Sequence, residues 1–308
     1  MNKWQLEVEK SLIKSEAEAL DNLRSAYVRA LKDIKIRIMV LKQEELTQNR
    51  IYRLEHQKAL ENQVQAILDK LHGDTYQTID RFLTESYQTG YIGTMYDIAK
   101  QGVPIIQPIN QTEAVKAILT DSKISEGLYK SLGVDVDKMK KTITAEIARG
   151  IASDTDYGNI ARNIAEICKA PESRARTIVR TEGHRIQQAS HDDARKAAKK
   201  KGADLLKQWD STLDGATRPV HRRLDGQVRE IDEPFEANGK KAMYPGKFDD
   251  PALDCNCRCT AITRARWALD EEELETLKKR AKYFGLDKTK DFEEYKQKYL
   301  KAAKDDAN

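Results

Sequence analysis

The sequence predicts a predominantly helical α+β protein, and three observations carry that prediction. From Leu6 to Leu71 there is neither Gly nor Pro, and apolar residues recur every three or four positions. From Leu205 to Trp267 the texture changes to Gly, Pro and Asp, with short β-like pieces between turns. Beyond Asp270 charged, helix-forming composition returns. The 308 residues are 34% charged and 6% aromatic, with a mean hydropathy of −0.72. That is too apolar for a disordered chain and too polar for a membrane protein.

Four segments follow in order. Residues 1–73 form a long amphipathic helical arm, with Leu20, Leu23, Tyr27, Leu31, Ile34, Ile38 and Leu41 on one stripe. Leu60, Val64, Ile67 and Leu71 repeat the pattern. "KQEELTQNR" has no breaker, so one bent helix and an antiparallel pair both fit. His72-Gly73-Asp74 is the expected stop, with Gly as C-terminal cap. Residues 74–149 form a helical body. Within it Gly90 and Gly93, one turn apart, mark either a close helix approach or a kink. Gly102–Ile109 reads as extended chain because each Pro disfavours helix before it. Helical periodicity resumes from Gln111 to Gly150.

Residues 150–266 form a compact irregular α+β module. Ser153, Asp154 or Asp156 caps its first helix, and Pro171 marks a boundary. One long helix then runs from Glu172 to Lys201 and is closed by Gly202. Residues 267–308 are a charged helical tail anchored by Tyr283, Phe284, Leu286, Phe292 and Tyr295.

Some function classes are disfavoured at once. No run of about 18 apolar residues exists, so no transmembrane helix is expected. "MNKWQLEVEK" lacks the apolar core and cleavage site of a signal peptide, so folding in a reducing cytoplasm is expected. A net charge of +4 permits nucleic-acid contact without arguing for it. There is no P-loop, Rossmann glycine pattern, nucleophile elbow or H-E-x-x-H.

"DCNCRC" raises the question of a metal. In a regular strand neighbouring cysteines of Cys255, Cys257 and Cys259 stand roughly 6.5 Å apart and the outer pair roughly 13 Å. Two sulfurs each about 2.3 Å from one zinc cannot be that far apart. A regular strand therefore cannot chelate through all three, whereas a turn through Asn256 or Arg258 allows it, with His221 as fourth ligand. The alternative is that these thiols are small buried hydrophobes. Cys168 sits at a helical apolar position and is read as packed.

"WDSTLDGATRPVHRRLDG" places Asp214, Arg218, His221 and Asp225 close in sequence. One reading makes His221 a general base oriented by an Asp. The preferred one makes the carboxylates turn caps and His221 a satisfied buried imidazole, so no catalytic residue is assigned. The long helix carries Arg174, Arg176, Arg180, Arg185, Arg195, Lys199, Lys200 and Lys201 among acidic residues. Arg174, Arg176 and Lys199–Lys201 are candidate DNA contacts; a solvated helix laced with ion pairs is the preferred alternative. Glu182 is expected to face inward, with an Arg from the following module as partner.

In combination these pieces resemble the phage Mu F-like head morphogenesis domain, found in minor capsid or minor head proteins of tailed phages. The matching positions are Arg180-Thr181-Glu182, Trp209, Asp214, Arg218, His221, Leu224-Asp225-Gly226, Pro234-Phe235, Pro245 and Asn256-Cys257-Arg258-Cys259. The resemblance covers residues 150–263, and Cys255 is extra to it. It implies a structural virion component, in the capsid interior or at the portal vertex, present in the host cytoplasm during assembly. The implied partners are portal protein, major capsid protein and phage DNA, with roles in procapsid assembly, DNA packaging or ejection. The arm adds the expectation of self-association through the N-terminal helices. The alternatives are a hydrolase or transferase using a His221/Asp/Cys cluster, and a DNA-binding virion protein. Zinc is the one cofactor to consider.

Overall fold

The computed structural model describes residues 1–44, 50–106, 111–120, 123–152, 157–265 and 271–305. The caps expected at Ser153, Asp154 and Asp156 lie outside them. The order is α1 (Lys3–Glu44), α2 (Arg50–Lys100), α3 (Gln111–Thr120), α4 (Lys123–Ala152), α5 (Tyr157–Ile167), α6 (Lys169–Lys200), β1 (Leu205–Asp210), α7 (Pro219–Leu224), β2 (Val228–Glu230), β3 (Phe235–Ala237), β4 (Lys240–Ala242), α8 (Pro251–Asp254), β5 (Thr260–Ala265), α9 (Glu271–Tyr283) and α10 (Phe292–Asp305). The predominantly helical α+β class is thus observed. The chain divides into two units.

One unit comprises Ala17–Arg81 and Glu126–Val179, and its described residues are almost all helical. Its apolar stripes bury as the periodicity requires. Leu23, Tyr27, Ile34 and Ile38 of α1 are buried, as are Leu60, Val64, Leu68 and Leu71 of α2. Leu20, Leu31 and Ile67 are half-buried, and the side chain of Leu41 lies outside the described residues. In α4, Leu132, Val136, Met139, Ile143 and Ile147 keep the same three-to-four spacing. Cys168, between α5 and α6, is buried and free, and burial pushes its thiol up to about 12.

One expectation is corrected along these helices. Gly73 does not stop a helix: α2 runs through it to Lys100. One helical Gly costs only about 1 kcal/mol against Ala, which the buried residues on either side outweigh. Pro171 marks the α5–α6 boundary as expected: it lies in the first turn of α6, where its missing N–H has no intrahelical partner to lose.

The other unit comprises Met1–Glu16, Phe82–Ser125 and Arg180–Asn308. At Gly90 and Gly93 the close-approach reading holds, and α2 is unbroken there. A Cβ on Gly93 would lie 2.3 Å from Val8 Cγ1, and one on Gly90 2.1 Å from Ser190 Oγ. Residues 103–106 are not helical, as the prolines require; residues 107–109 of the stretch expected to be extended lie outside the described residues. In the tail Leu286, Phe292 and Tyr295 are buried anchors, but Tyr283 is 83% exposed. It ends α9, just before Gly285 turns the chain with φ +68°.

The module is built on a three-stranded antiparallel sheet in the order β2-β1-β5, with a separate β3-β4 hairpin. Trp209 of β1 stands opposite Ala261 of β5. The period-two pattern of β1 buries Leu205, Lys207 and Trp209 on one face. Lys207 occupies a place that alternation reserves for an apolar residue. Its Nζ donates to the carbonyls of Ile231 (2.9 Å) and Met243 (2.8 Å), and burial pushes its pKa down to about 8. The core of the module is Trp209, Leu224, Phe235, Ala237, Ala242, Phe248, Leu253, Cys257, Cys259 and Ala261.

The sheet is braced by α6 through a buried polar stripe: Glu182, Arg185, Gln188, Asp192 and Arg195, each at most 2% exposed. The Gln188 amide donates to Thr260 Oγ1 (2.9 Å) and accepts from Ala261 N (2.9 Å). Arg195 donates to the Ala261 carbonyl (2.7 Å). The partner of Glu182 is therefore not an Arg of the later module. Glu182 Oε2 accepts from Arg185 Nη2 (2.5 Å), three residues along the same helix, and from Ser125 Oγ (2.7 Å). The polar stripe turns both groups inward together.

Candidate functional site

Trp209 is fully buried and organises the site. Its ring meets Phe235 edge-on at 5.1 Å and His221 at 5.6 Å, with Phe248 at 5.9 Å. Pro219 occupies the first turn of α7, which points His221 inward at 1% exposure. On the other side, Asn256 adopts φ +53°. That left-handed residue breaks extended geometry between Cys255 and Cys257, so β5 begins only at Thr260. The turn swings two sulfurs toward the imidazole: Nδ1 of His221 lies 3.6 Å from Cys257 Sγ and 3.5 Å from Cys259 Sγ. These three atoms lie within 4.8 Å of one another.

Cys255, expected to ligate alongside Cys257, Cys259 and His221, is not in that group. It caps the C-terminus of α8, and its carbonyl accepts from Arg218 Nη2 (2.6 Å). A hydrogen bond from Cys257 holds the Cys259 thiol down, to about 4, against the opposing effect of burial; His221 and Ser211 assist. Cys257, donating that bond, is raised well above the ordinary thiol value.

The remaining motif residues are joints around this centre. Asp214 receives both Nη atoms of Arg258 (2.6 and 2.7 Å) and caps its own turn by accepting from Ala216 N (3.0 Å). Asp225 accepts from Ser211 N (2.7 Å). Gly226 (φ +76°) donates its N–H to the Trp209 carbonyl (2.9 Å). Thr181 accepts from Asn256 N (3.2 Å), linking the "RTE" helix to the cysteine turn. Arg180 faces Glu16 at 3.7 Å. Pro234 is half-buried and Pro245 buried; Gly246, at φ +86°, lies against Arg185.

No carboxylate appears in the donor group around His221 among the described residues. The Asp214, Arg218, His221, Asp225 cluster envisaged from the sequence is instead dispersed among these separate bonds. Arg174 pairs with Asp135 (3.4 Å), Arg176 with Glu172 (3.9 Å) and Lys199 with Asp232. Arg185 and Arg195 are buried, while Lys200 and Lys201 are exposed.

Sequence reasoning missed Ser211, whose Oγ accepts from Trp209 Nε1 (3.1 Å), donates to the His221 carbonyl (2.9 Å) and lies 3.6 Å from Cys259 Sγ. A lone Ser carries no sequence signal. Gln188 and Arg195 were also missed, although 182, 185, 188, 192 and 195 follow helical spacing.

Residues 141–262 match the family described as Phage Mu protein F like protein. A relative matched along most of both chains is the minor head protein GP7 of Bacillus phage SPP1, 29% identical over 277 residues, 84% of this chain and 86% of that protein. Residues 141–262 thus carry the domain of the phage Mu F-like head morphogenesis family. The family match contains every joint described above from Arg180 to Cys259. Another relative is the NAD(+)–arginine ADP-ribosyltransferase EFV of Enterococcus faecalis, 30% identical over 270 residues, 85% of this chain. The chain spans about half of that protein, 54% of its length. An uncharacterised Haemophilus influenzae protein is 30% identical over 158 residues, half of this chain and 30% of its own length. No solved structure matches the chain.

Proposed function

We propose that this chain is a virion component of a tailed-phage head that acts in procapsid assembly through contact with the portal protein or the major capsid protein. The observation that carries the reading is the similarity to a phage minor head protein over 84% of this chain and 86% of that protein. Two features support it. His221 is enclosed and faces sulfurs rather than a carboxylate in an open cleft, which suits a module whose motif residues hold a shape. Helix α1 also leaves large apolar side chains in solvent, among them Ile13 (60% exposed), Val28 (57%) and Ile36 (47%), surface that a partner in an assembly would cover.

The test is co-purification with the portal and major capsid proteins of the same phage, followed by imaging of procapsids made with and without this chain. Retention on the portal or in procapsids is expected. A folded chain that associates with neither overturns the proposal. The activity named for the Enterococcus faecalis relative is checked alongside, by incubation with NAD and an arginine-bearing acceptor; no transfer is expected.

A further inference from the structure

The structure assigns a zinc site to His221, Cys257 and Cys259, and this stands independently of any role in head assembly. Zinc bonds of about 2.3 Å to sulfur and 2.0–2.1 Å to nitrogen, set at tetrahedral angles, place an N and an S ligand about 3.5 Å apart. The separations from His221 Nδ1 are 3.5 and 3.6 Å. The imidazole nitrogen therefore stands from each sulfur at the spacing of a tetrahedral edge, and all three donor atoms lie within 4.8 Å of one another, with a fourth corner left to a ligand from outside the trio. Each separation also suits a sulfur–nitrogen hydrogen bond, so it is the convergence of two buried thiols on one ring nitrogen, rather than either distance alone, that points to a shared ion.

The surroundings fit a soft, thiolate-binding cation. All three residues are at most 3% exposed, so their donors have no water to satisfy them. Ser211 fixes the backbone of His221 and touches Cys259, as a residue outside the ligand set does when it orients one. The left-handed Asn256 supplies the turn that a C-x-C pair needs to bring both sulfurs to one side. An ion here ties α7 to the start of β5 in a module whose sheet has only three strands, and its binding energy then contributes to folding.

The test uses the full chain purified without chelator. Elemental analysis is expected to find about one zinc per chain. Replacement by cobalt(II) should produce a thiolate-to-metal charge-transfer absorption that disappears in Cys257→Ser and Cys259→Ser but persists in Cys255→Ser and Cys168→Ser. Because the first two variants risk misfolding, the unmodified chain provides a second measurement. A strong chelator should lower its thermal midpoint by roughly 10 °C or more and make two further thiols reactive, both effects reversing on added zinc. Folded chain that carries no metal, shows no such absorption with cobalt(II) and melts unchanged in chelator overturns the assignment.

Discussion

Replacing Glu182 by Ala should be among the most damaging single changes in the module. Its Oε2 accepts three bonds: from Arg185 Nε (3.1 Å), Arg185 Nη2 (2.5 Å) and Ser125 Oγ (2.7 Å). The side chains are 0% and 2% exposed for Glu182 and Arg185. Hydrogen bonds to charged groups contribute about 1.5–3 kcal/mol each, which bounds the gross effect. Two facts reduce it. Glu182 Oε1 has no hydrogen-bond partner, and Arg185 keeps the Ile118 carbonyl (3.0 Å) and Ser125 Oγ (2.5 Å). What remains is a buried cation without its counter-ion, for a loss of about 3–5 kcal/mol. Removing both charges, as Glu182→Leu with Arg185→Met, should cost less than the Ala change alone. Urea unfolding at pH 7 with linear extrapolation measures all of them. A loss below about 1 kcal/mol for Glu182→Ala, or a double variant as unstable as the summed singles, would refute the reasoning.

Two further outcomes follow from the packing and the titration of buried groups. Gly73 and Gly93 lie in the same helix but should respond to Ala with opposite signs. Gly73 has nothing within 4 Å of an added Cβ and should gain about 0.5–1 kcal/mol from helix propensity. Gly93 meets Val8 at 2.3 Å and should lose about 1–3 kcal/mol; melting curves that shift both variants the same way contradict this. His191 supplies the pH dependence. Burial, with the Arg195 guanidinium adding to it, pushes its pKa down to about 3 from an ordinary 6.5. Between those values the unfolded chain binds a proton that the folded chain does not, so stability falls as pH drops through the window, by up to about 1.4 kcal/mol per pH unit. Unfolding free energies taken from pH 7 to pH 4 should show a shallower slope in His191→Gln, and equal slopes would contradict the assignment.

Much of this was legible before any coordinates. Apolar periodicity located the buried faces of α1, α2 and α4, because packing against neighbours is what selects that spacing. Turn chemistry located the module. The order of Trp209, Asp214, His221 and the cysteines pointed to the family although no single residue did. The misses share a cause: each depends on a neighbour distant in sequence. Gly73 signals a stop only if nothing around it holds the helix. Cys255 and Cys259 are equivalent by spacing until the backbone at Asn256 turns one away. Lys207 breaks the alternation of β1 for the sake of two carbonyls, at Ile231 and Met243, that the sequence does not announce.

The inner face of α6 has a consequence for how the module finds its shape. Apolar faces adhere to one another in many registers with similar energy. A face made of Glu182, Arg185, Gln188, Asp192 and Arg195 does not. Sliding α6 by one turn would part Gln188 from Thr260 and Ala261, and Arg195 from the Ala261 carbonyl, leaving polar groups stranded without water. The helix therefore works less as glue than as a key. It admits β5 at one setting, and that setting fixes where Cys259 and its neighbours come to rest.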